Sequence, residues 1–224
     1  MPSLRSPDYL TITGPGQTIY RGGDQEWYPD VWQRRAGCGP TTAAALVAYL
    51  GYTRPALAPL VPLSGGTRTG FLQYMQNLWT YVTPGSRGLD KPESLVLGCR
   101  SFALSRGCRL TGEILPIPAR PEDRPTLAAC QDFLARALDQ DCPVAFLNYS
   151  NGALQNLDSW HWVPLISMTQ GEEIPGGDPV LLCSILDGGQ EKIIDLALWL
   201  ATTTQGGALV SLAPALPEGK PAAP

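Results

Sequence analysis

Histidine is almost absent from this chain, and charged residues are few. His161 is the only histidine among 224 residues, and Asp, Glu, Lys and Arg together make up 16% of the sequence. The net charge of −4 argues against a protein that binds nucleic acid through its phosphates. Apolar residues make up 44%, which excludes a disordered chain and suffices for a hydrophobic core.

The sequence also lacks long apolar runs and closely paired cysteines. The longest apolar runs, at about 43–50 and 180–186, are too short to cross a bilayer. The N-terminus has no apolar segment typical of signal peptides, so we expect a cytoplasmic protein that contacts no membrane. Six cysteines occur without any Cys-x-x-Cys pair, which argues against a zinc site, and we expect no metal or other cofactor. Free thiols are a better interpretation of these cysteines than three disulfides.

Glycine and proline, by contrast, are abundant, with 24 and 22 residues, and they divide the chain into short elements. The spacing of apolar residues predicts helices over 37–50, 68–82, 92–105, 125–140 and 196–201. Strands are predicted over 110–117, 143–148, 160–168, 180–186, 192–195 and 208–212. Gly51 is expected to end the first helix, and residues 213–224 are expected to fray. Because helices come first and strands later, the pattern predicts an α+β fold.

Cys38 lies at the predicted start of the first helix, where Pro40 suits the first turn. Free backbone N–H groups and the helix dipole favour negative charge there, and therefore a reactive thiolate. Gly37 and Gly39 carry no side chain that would crowd an incoming carbonyl, so we assign them to substrate binding. The alternative is an ordinary helix start with a buried thiol. We favour a nucleophile, because the chain also supplies a histidine and an aspartate.

His161 and Asp187 are the partners that a catalytic cysteine would need. His161 lies in a strand-like run between two tryptophans and, taken alone, would be interpreted as a packed residue. Asp187 follows a buried strand-like run and precedes two glycines. It could hold an imidazole in one orientation, or it could belong to an ordinary Asp-Gly turn. Asp195 is a weaker rival, since it is better placed to cap the following helix.

A side-chain amide near the nucleophile would complete an oxyanion hole. Gln33, five residues before Cys38, is the first candidate for this role. Gln17 and Gln25 lie on the same irregular segment and are alternatives. For Gln33, a surface glutamine in a polar loop is an equally good interpretation.

Aromatic residues flank both the candidate nucleophile and the candidate base. Trp160 and Trp162 are candidates for substrate contact, although strand alternation would let at most one of them line the cleft beside the histidine. Trp27, Tyr28 and Trp32 could form an aromatic wall, but core packing is the preferred interpretation for these three.

These motifs resemble those of the papain-like cysteine peptidases, and particularly bacterial proteins related to the peptidases that trim double-glycine leader peptides. The resemblance rests on the segments GCGPTTAA, WHWVPLI and ILDGG at 37–44, 160–166 and 185–189. It implies one papain-like domain over 1–212, with a helical part at about 37–140 packed on an antiparallel β part at about 143–212. The separation of 26 positions from His161 to Asp187 then implies a hairpin insertion near Gly171–Asp178.

The same resemblance implies a role for each candidate. Cys38 would be the nucleophile, His161 the general base and then acid, Asp187 the orienting group and Gln33 the oxyanion donor. The expected activity is a thiol hydrolase that cleaves a peptide or amide through a thioester, without a cofactor. Two alternatives stay open: an acyl or peptidyl transferase on the same fold, and a non-catalytic binding module.

Overall fold

The computed structural model describes residues 1–171 and 178–215. Its helices are α1 (Val31–Ala36), α2 (Cys38–Thr53), α3 (Arg68–Trp79), α4 (Pro92–Ser105), α5 (Leu127–Asp139) and α6 (Leu196–Thr202). Its strands are β1 (Thr11–Thr13), β2 (Ile19–Arg21), β3 (Leu110–Ile117), β4 (Val144–Asn148), β5 (His161–Gln170), β6 (Leu181–Asp187), β7 (Gln190–Asp195) and β8 (Gly207–Pro214). Most of the hairpin insertion implied near Gly171–Asp178, and residues 216–224 of the tail, lie outside the described residues.

Six of these strands form one antiparallel sheet in the order β3-β8-β4-β5-β6-β7. Because most helices precede this sheet in the chain, the predicted α+β class is confirmed. The edge strand β3 lies within residues 37–140, the range that was assigned to the helical part. It belongs to the sheet, because it pairs with β8 along its whole length. β8 itself continues to Pro214, two residues beyond the predicted end of the strand at 212.

The helix α2 is surrounded by other parts of the protein. Every residue from Cys38 to Gly51 is buried, as expected for a helix that is apolar on all sides. The helix does not end at Gly51 as predicted but continues to Thr53. A Cβ at Gly51 would lie 2.9 Å from the backbone nitrogen of Val61, so this glycine permits a close chain contact instead of ending the helix. None of the described helices has the length and hydropathy needed to span a membrane.

The sheet separates two hydrophobic clusters because its side chains alternate between its faces. One cluster joins α2, α3 and α4 to the face that carries Leu147 and Trp162. The other joins α5 and α6 to the face that carries Phe146 and Leu165. Burial on both faces explains why β4 is apolar at consecutive positions. In this arrangement the N-terminus of α2 lies against the start of β5 and the end of β6, where residues of all three border one cavity.

Candidate active site

Cys38 is the first residue of α2, immediately after the junction with α1. The side chain of Asp30 caps α1 by accepting hydrogen bonds from the backbone N–H groups of Trp32 and Gln33, at 2.8 and 3.1 Å. Gly37 separates the two helices, and α2 starts as a new helix at Cys38. The first N–H groups of α2 therefore have no partner within the helix. Cys38 is only 8% exposed, and it borders two cavities through which a ligand could reach its sulfur.

Gly37 and Gly39 permit close packing in the structure, and their contact with a substrate stays a prediction. A Cβ at Gly37 would lie 2.4 Å from the carbonyl oxygen of Gln33, and one at Gly39 would lie 2.6 Å from the side chain of Leu89. Neither glycine borders either cavity beside Cys38. Their role is to let the start of α2 approach its neighbours closely.

His161 and Asp187 come from adjacent strands and lie close to Cys38. The imidazole opens β5, the carboxylate closes β6, and Nε2 of His161 lies 2.7 Å from Oδ1 of Asp187. The imidazole also interacts electrostatically with Cys38, and the two side chains border the same cavity. Because Nε2 faces Asp187, Nδ1 is the ring nitrogen left for the sulfur. The three side chains that the sequence analysis selected therefore border one cavity, with His161 between Cys38 and Asp187.

The oppositely charged groups of this site stabilise each other's charged forms. Burial disfavours the imidazolium, but the interactions with Asp187 and Cys38 outweigh it and raise the pKa of His161 to about 10. Burial likewise disfavours the carboxylate, but its contacts with His161 and Lys192 outweigh that effect and lower the pKa of Asp187. At neutral pH the site therefore holds an imidazolium hydrogen-bonded to a carboxylate.

Lys192 is a fourth member of the site that the sequence analysis missed. Its Nζ lies 2.7 Å from Oδ2 of Asp187, so both carboxylate oxygens are engaged. The strands β6 and β7 are joined by Gly188 and Gly189, whose φ values of 58° and 72° fit a two-residue hairpin turn. In that register Lys192 is the diagonal neighbour of Asp187 on the same face of the hairpin. The Asp-Gly-Gly turn with a lysine shortly after it was the signal that could have found this pair.

Gln25, and not Gln33, lies at the cavity that Cys38 shares with His161. It opens a short 3₁₀ turn in which Asp24 accepts a hydrogen bond from the Glu26 N–H at 2.9 Å. Its Oε1 is buried without a hydrogen-bond partner, and the residue borders the cavity. Gln33 borders neither cavity beside Cys38, because the cap on α1 makes it part of a separate helix.

Two cavities meet at Cys38, and both Cys38 and Trp162 border each of them. The first, of about 230 Å³, is called the acidic cavity; besides His161 and Asp187 it is bordered by Asp24, Gln25, Glu26, Thr41, Asp158 and Lys192. The second, of about 190 Å³, is called the tryptophan groove; it is bordered by Trp32, Arg35, Ser86, Arg87, Trp160 and Trp162. Cys38 thus lies at the junction of two differently charged spaces.

Both candidate tryptophans border the tryptophan groove, whereas only Trp162 also borders the cavity beside His161, for which strand alternation allowed at most one of them. Trp160 precedes β5 and has a φ of 57°, so the alternation of a strand does not apply to it. Its ring is 48% exposed and lies 5.1 Å from the ring of Tyr149. Trp162 is buried, and its Nε1 donates a hydrogen bond to the carbonyl oxygen of Leu89 at 2.7 Å. Trp162 is therefore a buried side chain held in place on the border of the groove, and Trp160 is an exposed side chain on the same border.

Of the three aromatic candidates before Cys38, Trp27 and Tyr28 are packed in the core as expected, whereas Trp32 is 44% exposed and borders the tryptophan groove. Asp195 caps α6, as expected, by accepting hydrogen bonds from the N–H groups of Ala197 and Leu198. In the part of the chain that the structure describes, no group of three or more His, Cys, Asp or Glu could hold a metal ion. All six cysteines are free thiols in the structure, and all are buried.

Comparison with known proteins adds no relative to this geometry. Neither a scan against protein-family models nor a search of curated proteins gives a match.

The raised pKa of His161 predicts how stability depends on pH. The pKa of His161 is about 10 in the folded protein and 6.5 ordinarily. Between these two pH values, the folded protein therefore keeps a proton on His161 that the unfolded chain has lost. The stability that this proton contributes is present below pH 6.5 and is lost as the pH rises through about 10.

Chemical denaturation of the wild type and of His161→Gln, at about pH 6, 8 and 10, tests this expectation. The stability advantage of the wild type should shrink as the pH rises, because the variant has no imidazolium to lose. The difference between the two proteins isolates His161 from the other groups that titrate at alkaline pH. An advantage that stays constant over this range would contradict the proton held at His161.

Proposed function

We propose that this protein is a cysteine-dependent hydrolase with a papain-like fold that cleaves a peptide or amide bond. The observation that carries the proposal is the imidazole of His161, held by Asp187 at 2.7 Å and sharing one cavity with Cys38 at the start of a helix. A cysteine is activated for attack on a carbonyl when a base lies next to it and a third group holds that base in position. The helix of the nucleophile packed against an antiparallel sheet supports a papain-like fold.

The first half of the reaction forms a thioester. The thiolate of Cys38, stabilised by the imidazolium, attacks the carbonyl carbon, and the carbonyl π electrons move to the oxygen as the C–S bond forms. The backbone N–H at the start of α2 and the amide of Gln25 are the donors proposed for that oxyanion. As the oxyanion collapses, the C–N bond breaks, and the His161 imidazolium gives its proton to the departing amine.

The second half returns the free enzyme. The neutral imidazole takes a proton from water, whose oxygen attacks the thioester carbon, and the C–S bond breaks to release the acid and the thiolate. Asp187 keeps the imidazole in one orientation through both halves, and Lys192 fixes the second carboxylate oxygen.

Replacing Gln25 with alanine is expected to lower kcat for an activated ester by about 10²–10³-fold, as for loss of one oxyanion donor. Gln33→Ala is the matched control and should leave kcat unchanged, since Gln33 borders neither cavity at the nucleophile. A small alkylating reagent should label Cys38 at a similar rate in both variants, because alkylation of a thiolate forms no oxyanion. Equal kcat values for the two variants would remove Gln25 from the oxyanion hole.

Detection of an acyl-enzyme tests the proposed function. The protein is mixed with p-nitrophenyl acetate, quenched in acid and mapped by mass spectrometry, and an acetyl group is expected on Cys38 alone. The absence of any adduct would favour a non-catalytic binding module. Release of the acetyl group only when an amine is added would favour an acyl transferase over a hydrolase.

A further inference from the structure

The two spaces that meet at Cys38 differ in charge. The acidic cavity carries Asp24 and Asp158, which make no ion pair with any described residue, and Glu26, whose nearest cation is Arg34 at 3.9 Å. The further carboxylate there, Asp187, is already shared between His161 and Lys192. The cavity therefore has an excess of negative charge, and a positively charged group entering it would be attracted.

The tryptophan groove has the opposite character. Arg35 is exposed on its border and makes no ion pair within residues 1–171 and 178–215, while Arg87 is paired with Asp90 at 2.7 Å. No acidic residue borders the groove. The net charge facing this space is thus the guanidinium of Arg35, which suits a carboxylate.

The chemistry of the proposed reaction decides which half of a substrate faces which space. His161 must reach the departing amine to protonate it, and His161 borders the acidic cavity but not the tryptophan groove. The amine half therefore lies in the acidic cavity. The acyl half stays bonded to the sulfur, on the other side of Cys38, and lies in the tryptophan groove.

An aromatic group fits the same groove. Trp32 and Trp160 are 44% and 48% exposed, which leaves large apolar ring surfaces uncovered next to the nucleophile. Trp160 also has a φ of 57°, a conformation that is uncommon for a bulky residue and that tends to persist where function requires it. These exposed rings offer a stacking surface for a planar side chain.

Unpartnered buried polar atoms indicate that the acidic cavity receives a polar ligand. The Oγ1 of Thr41 and the Oε1 of Gln25 are buried without hydrogen-bond partners, and both residues border this cavity. Such atoms are costly unless a ligand or water satisfies them. Thr41 is 8% exposed and lies one turn along α2 from the nucleophile.

We propose that the site selects amide substrates with an aromatic, negatively charged acyl half in the tryptophan groove and a positively charged amine half in the acidic cavity. This selectivity rests on the proposed function for its assignment of the two halves, because the leaving amine must face His161. It goes beyond that function by naming the charge pattern of the substrate.

Two peptides of identical composition test the charge pattern. Ac-Phe-Glu-Lys-Gly-NH₂ and Ac-Phe-Lys-Glu-Gly-NH₂ have the same net charge and differ only in the order of the charges. Their affinities are measured by calorimetry on Cys38→Ala, which cannot cleave them. We expect the Glu-Lys peptide to bind about tenfold more tightly at low salt, with a smaller preference at about 1 M salt, where charges are screened.

The double variant Arg35→Glu with Asp158→Lys, made in the Cys38→Ala protein, should reverse the preference, since it exchanges one exposed charge on each side of the site. A matched pair of peptides with Ala in place of Phe should bind more weakly, and the Trp160→Ala change should weaken only the Phe peptides. Equal affinities, the opposite order, or no measurable binding of either peptide would overturn the proposal.

Turnover by the wild type separates this inference from the proposed function. Selective binding by Cys38→Ala without cleavage by the wild type would keep the recognition and contradict the hydrolase. Cleavage of both peptides at equal kcat/KM, with equal affinities, would keep the hydrolase and overturn the charge selectivity.

Discussion

Replacing His161 with alanine is expected to lower the rate of p-nitrophenyl acetate hydrolysis by about 10²–10⁴-fold. The variant loses the imidazolium that stabilises the Cys38 thiolate and the base that activates water in the second half of the reaction. Initial rates over a range of ester concentrations measure the effect as kcat/KM. Added imidazole should restore part of the lost rate, because a free base can enter the space that the side chain has left.

A folding control keeps this result interpretable. His161 is mostly buried, with a side chain that is 13% exposed, so circular dichroism and a thermal transition should be recorded for the variant. A folded variant that retains the wild-type rate would show that His161 is not the base. A folded variant that loses the rate without any rescue by imidazole would leave the base role unsupported.

Asp187 is expected to give the second large effect, and its two replacements should differ. Asp187→Ala removes both the acceptor for Nε2 and the negative charge, and we expect a loss of about 10²–10⁴-fold in kcat/KM. Asp187→Asn keeps an oxygen that can accept from Nε2 but leaves Lys192 facing an uncharged group. The imidazolium is then destabilised, so the pKa of His161 should fall below about 10.

The pH–rate profile distinguishes orientation from charge. Asp187→Asn should keep much of its activity in mildly acidic solution, and its activity should decline at a lower pH than that of the wild type. Lys192→Met is the control, since it removes the cation and leaves the hydrogen bond between His161 and Asp187 intact. Its acid limit should move to higher pH, because Lys192 helps to lower the pKa of Asp187. Superimposable profiles for all three proteins would exclude an electrostatic role for Asp187.

The sequence predicts the parts of the site that regular secondary structure positions. Cys38 is placed by a helix start, which the proline two residues later makes recognisable. His161 and Asp187 are placed by two strands with clear apolar patterns, and these strands prove to be neighbours in the sheet. The proximity of the three side chains depends only on packing that helix against that pair of strands, so spacing and residue type are sufficient evidence.

The parts of the site that irregular backbone positions are not predictable from spacing. Gln33 is nearer to Cys38 in sequence than Gln25, but the cap of Asp30 turns its segment into a separate helix. Gln25 reaches the cavity from an isolated 3₁₀ turn, whose path depends on long-range packing. Trp160 borders the groove because its backbone is left-handed, and no local sequence signal predicts that conformation for a tryptophan.

Labelling with iodoacetamide at about pH 6.5, followed by peptide mapping, tests the central claim that the imidazole of His161 activates the sulfur of Cys38. We expect Cys38 to be labelled first among the six cysteines and faster than a free thiol such as glutathione, and we expect His161→Ala to abolish that advantage. Labelling of Cys38 no faster than glutathione, or equally fast in His161→Ala, would contradict the account.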